Sequence, residues 1–373
     1  VGSAAHRSLR VPCLLGLAAC STLATQGTIG QNLPSSGVGP FQALSQTQVA
    51  PADVAPFVCL EPGQNLSEPT VLPATTDAST VAVLLYAVGQ GPSGQVIVRS
   101  DSDDGISFYG DTADESVHPT HKPPVVLEAS LSWEKADLTG PSALRVGSQI
   151  WLYYAASGGI GLAQSGDGLT FRKTGAPVLA PDPSATWETT TPHAPTVAVF
   201  PDGSWHMLYA AGTSIGEAAS ADGLHWTRTS GNPVLGPSTP VDPKTLPPGE
   251  SPPFDEATVE DPLLVPRVDP TGQLQVRVLY AGYAAPPTTA SRTASIGFAA
   301  RYGDTGPLSR QVIPVYVALG STAAGPAMLE WSGGTMLYVS QLDTTLMPSP
   351  LALAAAYDPA GGPPPFGAYP STP

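Results

Sequence analysis

Few side chains in this 373-residue sequence are placed to do chemistry, and three acids stand out by position. Glu68 precedes Pro69, and the pair Glu260-Asp261 precedes Pro262. Two carboxyls brought together can divide acid and base work, because a shared site drives their ionisations apart. Glu-Pro and Asp-Pro can equally just begin a strand, with the carboxylates in water or on backbone amides, and the residue types alone leave both readings open. His193, in His193-Ala194-Pro195, is a comparable case: it could assist with a proton or sit solvated and hydrogen-bonded. No phosphate-cradling glycine loop, nucleophile elbow or zinc spacing of Cys and His competes with these residues.

The acids belong to an internal repeat, which defines the elements that must position them. A proline followed by an apolar strand recurs at Glu68-Pro69, Gly140-Pro141, Ala194-Pro195, Asp261-Pro262 and Gly325-Pro326. A second strand follows each copy and carries an aromatic: Leu85-Tyr86, Tyr153-Tyr154, Leu208-Tyr209, Leu279-Tyr280 and Leu337-Tyr338. A third strand reads Ile160-Gly161, Ile215-Gly216 and Ile296-Gly297. Asp104-Gly105, Asp167-Gly168 and Asp222-Gly223 then mark turns that need a positive φ, each followed by an aromatic that opens a fourth strand. Each copy is thus a four-stranded antiparallel meander of about 60 residues, the size of a propeller blade. The spacing predicts an all-β, five-bladed β-propeller. Its last copy lacks a fourth strand, which Val54 to Leu60 is expected to supply, closing the ring and removing an exposed sheet edge.

The run of Pro-Ser-x-Leu, Leu-Tyr-Tyr-Ala, Ile-Gly-Leu-Ala and Ser-x-Asp-Gly-Leu-x-Phe motifs resembles the five-bladed propeller glycoside hydrolases. That group comprises the arabinanases, β-xylosidases, fructan hydrolases and mannoside phosphorylases, and the likeness covers roughly Glu68 to Ala356. It implies a glycan or oligosaccharide partner and carboxylates projecting into an axial funnel from the first three blades. Here the positions before the repeated proline read Glu68, Gly140, Ala194, Asp261 and Gly325, so the second and third blades depart from that pattern. The Glu260-Asp261-Pro262 run is similar to a motif of the mannoside phosphorylases, although theirs lies in an earlier blade. Around a five-fold ring only blade five separates blades four and one, so Asp261 and Glu68 could face each other as an acid and base pair, with Glu260 or His193 assisting. A non-catalytic glycan- or protein-binding propeller is the alternative. Trp133 and Trp187, each before an acid in loops leading to inner strands, could stack on sugar rings or pack between blades. No cofactor is expected from the residues themselves; the resemblance allows an axial metal ion near a histidine such as His193.

Composition narrows the setting. Charged residues make up only 12% and the formal net charge is −15, which argues against a nucleic-acid partner. Gly (39) and Pro (43) are abundant without a collagen-like period, as turn-rich β folds require. At the N-terminus His6, Arg7 and Arg10 precede Val11 to Leu17 and then Leu17-Ala18-Ala19-Cys20. That pattern reads as a signal peptide, and it resembles the lipobox of bacterial lipoproteins, with Cys20 as the lipidated residue. An ordinary secretory peptide cleaved nearby, or a buried apolar segment, is the other reading. The expected layout is residues 1–20 signal peptide, 21–53 flexible tether, 54–357 propeller and 358–373 Pro- and Gly-rich tail. The chain is then an exported monomer that meets the membrane only through its anchor.

Overall fold

A computed structural model describes residues 42–43, 66–74, 82–102, 105, 123–247, 251–269, 271–285, 293–317, 321–331, 334–343 and 351–357. Its strands pair into five four-stranded antiparallel sheets. One sheet holds β2 (Ser67–Pro73), β3 (Val83–Gln90), β4 (Gln95–Ser102) and β5 (Val125–Leu127) in that order. The next holds β6 (Thr139–Val146), β7 (Gln149–Ala156), β8 (Gly159–Ser165) and β9 (Arg172–Lys173). A third is built from β10 (His193–Val199), β11 (Trp205–Ala211), β12 (Ser214–Ser220) and β13 (Thr227–Arg228). A fourth holds β14 (Thr258–Val268), β15 (Leu274–Tyr283), β16 (Ala294–Tyr302) and β17 (Ser309–Arg310). In the last, β18 (Ser321–Trp331), β19 (Gly334–Asp343) and β20 (Leu351–Tyr357) are joined by β1 (Gln42–Ala43) on the outside. The innermost strands pack in the order β2, β6, β10, β14, β18 and back to β2. The fold is an all-β propeller of four-stranded antiparallel blades.

Two expectations change here. The strand beside β20 is Gln42–Ala43, inside the segment read as tether, whereas Val54 to Leu60 lies outside the described residues. The fourth strand of the first copy is Val125–Leu127, well beyond Phe108, because a long polar insertion separates the Asp-Gly turn from the next apolar run.

Every inner strand carries the same irregularity. Pairing skips from Ser67 to Thr70, Thr139 to Ser142, His193 to Thr196, Glu260 to Leu263 and Ala324 to Ala327. The two residues skipped are always the residue before the repeated proline and the proline itself, which has no N–H to give the ladder. Just after the bulge, a hydroxyl ties inner strands of three blades to the next. Thr70 Oγ1 accepts from Ala143 N at 3.2 Å, Ser142 Oγ from Val197 N at 3.1 Å and Thr196 Oγ1 from Leu264 N at 3.1 Å.

The repeated Leu-Tyr pair turns out to be two different features. Tyr86, Tyr153 and Tyr338 lie opposite the residue after the proline, at Thr70, Ser142 and Ala327. Each of these three donates its hydroxyl to the glycine carbonyl of a neighbouring Asp-Gly turn: Tyr86 to Gly168 at 2.9 Å, Tyr153 to Gly223 at 2.7 Å and Tyr338 to Gly105 at 2.7 Å. Those glycines have φ of 73°, 74° and 73° for Gly168, Gly223 and Gly105, the conformation the Asp-Gly signal predicts. Tyr154, Tyr209 and Tyr280 instead lie one residue later, opposite the bulge. A shift of one residue turns a strand side chain to the other face.

On that second face a clasp repeats in three blades. Tyr154 donates to Glu134 at 2.6 Å, Tyr209 to Glu188 at 2.7 Å and Tyr280 to Asp255 at 2.8 Å. A cation from the outermost strand closes each: Lys173 on Glu134 at 2.6 Å, Arg228 on Glu188 at 2.5 Å and Arg310 on Asp255 at 2.6 Å. The loop before the inner strand is thereby fastened across the whole blade. Glu134 is fully buried, so truncating it strands a phenol and an ammonium without their partner. Glu134→Ala should cost about 3–5 kcal/mol, read as a lower urea midpoint with an unchanged slope. Glu128→Ala, at an exposed neighbouring site, should stay within about 0.5 kcal/mol of the parent. Equal midpoints for the two variants would show that the clasp does not hold the blade.

Candidate functional site

The five bulges bring the residues before the prolines to the axis. All five are left-handed: φ is 50° at Glu68, 53° at Gly140, 45° at Ala194, 49° at Asp261 and 55° at Gly325. A residue before proline ordinarily prefers an extended backbone, and a side chain at positive φ adds strain of about 1–2 kcal/mol. Holding Glu68, Ala194 and Asp261 there requires the surrounding ring to enforce it.

The inner strands approach very closely at this level. A Cβ on Gly140 would lie 2.8 Å from the Ala194 Cα, and one on Gly325 would lie 3.1 Å from the Glu68 Cα. These two glycines are the partners of the two acids. Glu68 Oε2 accepts from Gly140 N at 2.5 Å, and Asp261 Oδ2 accepts from Gly325 N at 3.1 Å. Each acid thus reaches forward to the equivalent residue of the following blade. Glu68 also donates its own N–H to Ser340 Oγ at 2.6 Å, which joins the last blade to the first.

Enclosure by the ring is the main force on Glu68 and raises its carboxyl to about 7. The negative charge of Asp261 pushes the same way, the Gly140 N–H opposes it, and Glu260 adds a smaller upward push. Glu68, Asp261 and Glu260 therefore share one electrostatic environment at the axis, although they are almost two hundred residues apart in sequence. Such an arrangement can keep one carboxyl protonated near neutrality beside a charged one.

The other residues singled out from sequence fall elsewhere. His193 opens β10, half-buried, with Nδ1 at 2.9 Å from the Thr191 carbonyl. The carbonyl can only accept, so Nδ1 is the donor in this bond. Among the described residues no three His, Cys, Asp or Glu side chains group to hold a metal ion. Trp133 and Trp187 are fitted into the blade clasps. Their rings lie 6.0 Å from Tyr154 and 5.8 Å from Tyr209, centroid to centroid. Gly161 and Gly216 leave the space these rings fill: an added Cβ would come within 2.8 Å of Trp133 and 2.2 Å of Trp187. The ring faces turned to those tyrosines serve packing. Cys20 lies outside the described residues.

Sequence reasoning missed Ser340 and the role of the two glycines. Gly140 and Gly325 read as positions where an acid is lacking; in the ring each presents the amide that a preceding acid needs. The signal was available, since in both cases a glycine follows an acid at the same place in successive copies.

No known protein-family model matches the chain, and no curated protein matches it. Solved structures do resemble it in fold. A glycosyl hydrolase from Bacteroides ovatus superposes with a TM-score of 0.61 at 13% identity, covering 89% of this chain and 98% of that one. A structure from the GH130 family, described as mannoside phosphorylases that contain hydrolases of beta-1,2 mannosidic linkages in Candida mannan, gives 0.57 at 15% identity, over 88% and 97%. The Cellvibrio cellulosa alpha-L-arabinanase complexed with arabinohexaose gives 0.51 at 12% identity, over 79% and 91%. At these identities the likeness is one of fold.

The state of Glu68 can be read from stability. Its folded carboxyl holds a proton more tightly than the unfolded one, whose ordinary value is 4.5, so it stabilises the fold fully below about 4.5 and loses that contribution as pH rises through about 7. The melting temperature of the parent should therefore fall between pH 4.5 and 7 more steeply than that of Glu68→Gln, which keeps the acceptor for Gly140 but does not titrate. Parallel pH profiles would show that Glu68 ionises as it does in water.

Proposed function

We propose that the chain is an exported, five-bladed, glycan-directed propeller in which Glu68 and Asp261 act as acid and base on a glycosidic bond. The observation that carries this reading is the raised carboxyl of Glu68 at the axis, beside the charges of Asp261 and Glu260. A carboxyl titrating near 7 is a competent proton donor at neutral pH. In this mechanism Glu68 protonates the oxygen of the leaving sugar while Asp261 takes a proton from the attacking water. Glu260 contributes its charge, which favours the protonated form of Glu68. The descriptions of fold neighbours, one bound to arabinohexaose and another an RGII complex, support a carbohydrate as the ligand class.

A second reading has its own observation. Both acids already accept backbone amides, and Gly140 and Ala194 stand where further carboxylates would complete the ring. On this reading the propeller binds a glycan or a protein without cleaving it. Hydrolysis or phosphorolysis by the purified propeller should be measured against arabino-, xylo-, fructo- and manno-oligosaccharides, with and without phosphate. Turnover reduced at least about a hundredfold in both Glu68→Gln and Asp261→Asn supports the enzyme. Binding to a glycan without turnover supports the second reading.

The exported setting rests on Cys20. In a bacterial host fed a labelled fatty acid, the full chain should take up label and Cys20→Ser should not. The propeller then works as a monomer held at the envelope by its lipid.

A further inference from the structure

We propose that Ser204, His206 and Glu217 form a second reactive centre, an activated serine able to accept an acyl group from small activated esters. It lies at the far end of β10 from Ala194 and the axis. Ser204 Oγ is 3.1 Å from His206 Nε2, and His206 Nδ1 is 3.1 Å from Glu217 Oε1. Nucleophile, base and orienting carboxylate thus stand in hydrogen-bond sequence. A carboxylate only accepts, so Glu217 fixes the proton on Nδ1 and leaves the Nε2 lone pair toward the serine. Phe200 stacks on the imidazole at 3.8 Å between centroids, 8° from parallel, and holds the ring in place. Arg301, from β16 of the next blade, binds Glu217 Oε1 at 2.6 Å.

The cluster departs from the repeat. The positions equivalent to His206 hold Leu84, Trp151, Arg277 and Met336 in the other sheets. Those equivalent to Glu217 hold Arg99, Leu162, Phe298 and Ala355. A carboxylate 1% exposed carries a desolvation penalty that a packing role does not require. Ser204 itself is partly exposed, on a hairpin whose neighbours Pro201 to Gly203 face solvent, so a small ester can reach it.

In the reaction the Ser204 oxygen bonds to the ester carbonyl carbon and its proton passes to His206 Nε2. The bond to the leaving alcohol breaks, and the alcohol takes that proton. Water then repeats the sequence to free the acid and restore Ser204. The nearby amides are engaged: Gly203 N–H donates to the Phe200 carbonyl and Ser204 N–H to Asp202. Without them to steady an oxyanion, the substrate class is confined to esters with good leaving groups. Asp202 Oδ1, 2.6 Å from Ser204 Oγ, competes with His206 for the hydroxyl proton.

The sequence contains its own control. Ser184 has the same local turn, with its N–H at 2.9 Å and its hydroxyl at 2.7 Å from Asp182 Oδ1, and it is more exposed. The full chain should be treated with a fluorophosphonate probe and p-nitrophenyl acetate, and modified serines located by mass spectrometry. Ser204 should react at least about a hundredfold faster than Ser184. Asp202→Asn should speed the reaction, and Ser204→Ala should abolish it. Equal labelling of the two serines overturns the proposal.

Discussion

The geometry of this propeller hangs on a backbone distortion made at each inner strand. A proline cannot donate to the ladder, so the strand bulges there, and the residue before it turns left-handed toward the axis. Repeated around the ring, that distortion packs the inner strands so tightly that Gly140 and Gly325 sit against the backbones of Ala194 and Glu68. It also decides where charge can be held. The acids at Glu68 and Asp261 are tolerated at the axis because the following blade presents an amide to each. The unusual ionisation of Glu68 follows from that placement.

Much of this architecture is legible in the order of residues. The X-Pro repeat marks the bulges, and the Asp-Gly pairs mark turns whose glycines have the positive φ they need. The axial acids are identifiable because they break the repeat. What sequence does not supply is register. Leu85-Tyr86 and Leu208-Tyr209 look interchangeable, yet Tyr86 and Tyr209 point to opposite faces, since the pairing places one after the bulge and the other against it. Likewise the sequence leaves Trp133 open between stacking on a sugar and packing between blades, and only the structure shows Tyr154 against its ring and Gly161 making room for it. The Ser204, His206, Glu217 and Arg301 cluster is invisible for a different reason: it needs the pairing of two strands and the docking of a third from another blade.

Charge is distributed in the molecule by function of place. The second, third and fourth sheets each bury an acid under a tyrosine and a cation, and these clasps neutralise themselves locally. At the axis the carboxyl of Glu68 is moderated instead by a backbone amide and by the acids around it, which leaves its protonation responsive to pH. One kind of burial fixes a loop, and the other leaves a carboxyl that answers to pH.

The tyrosine bonds from Tyr338 to Gly105, Tyr86 to Gly168 and Tyr153 to Gly223 bear on how such a chain can evolve. The first, second and third sheets are each completed by a hydroxyl that the preceding blade owns, so lifting out the first or second alone would part both a phenol and a carbonyl from their mates. Recombination that moves an arc of adjoining blades keeps the bonds inside that arc. Divergence within the arc is freer, because a turn may change its loop sequence as long as the glycine carbonyl stays where the neighbouring tyrosine meets it.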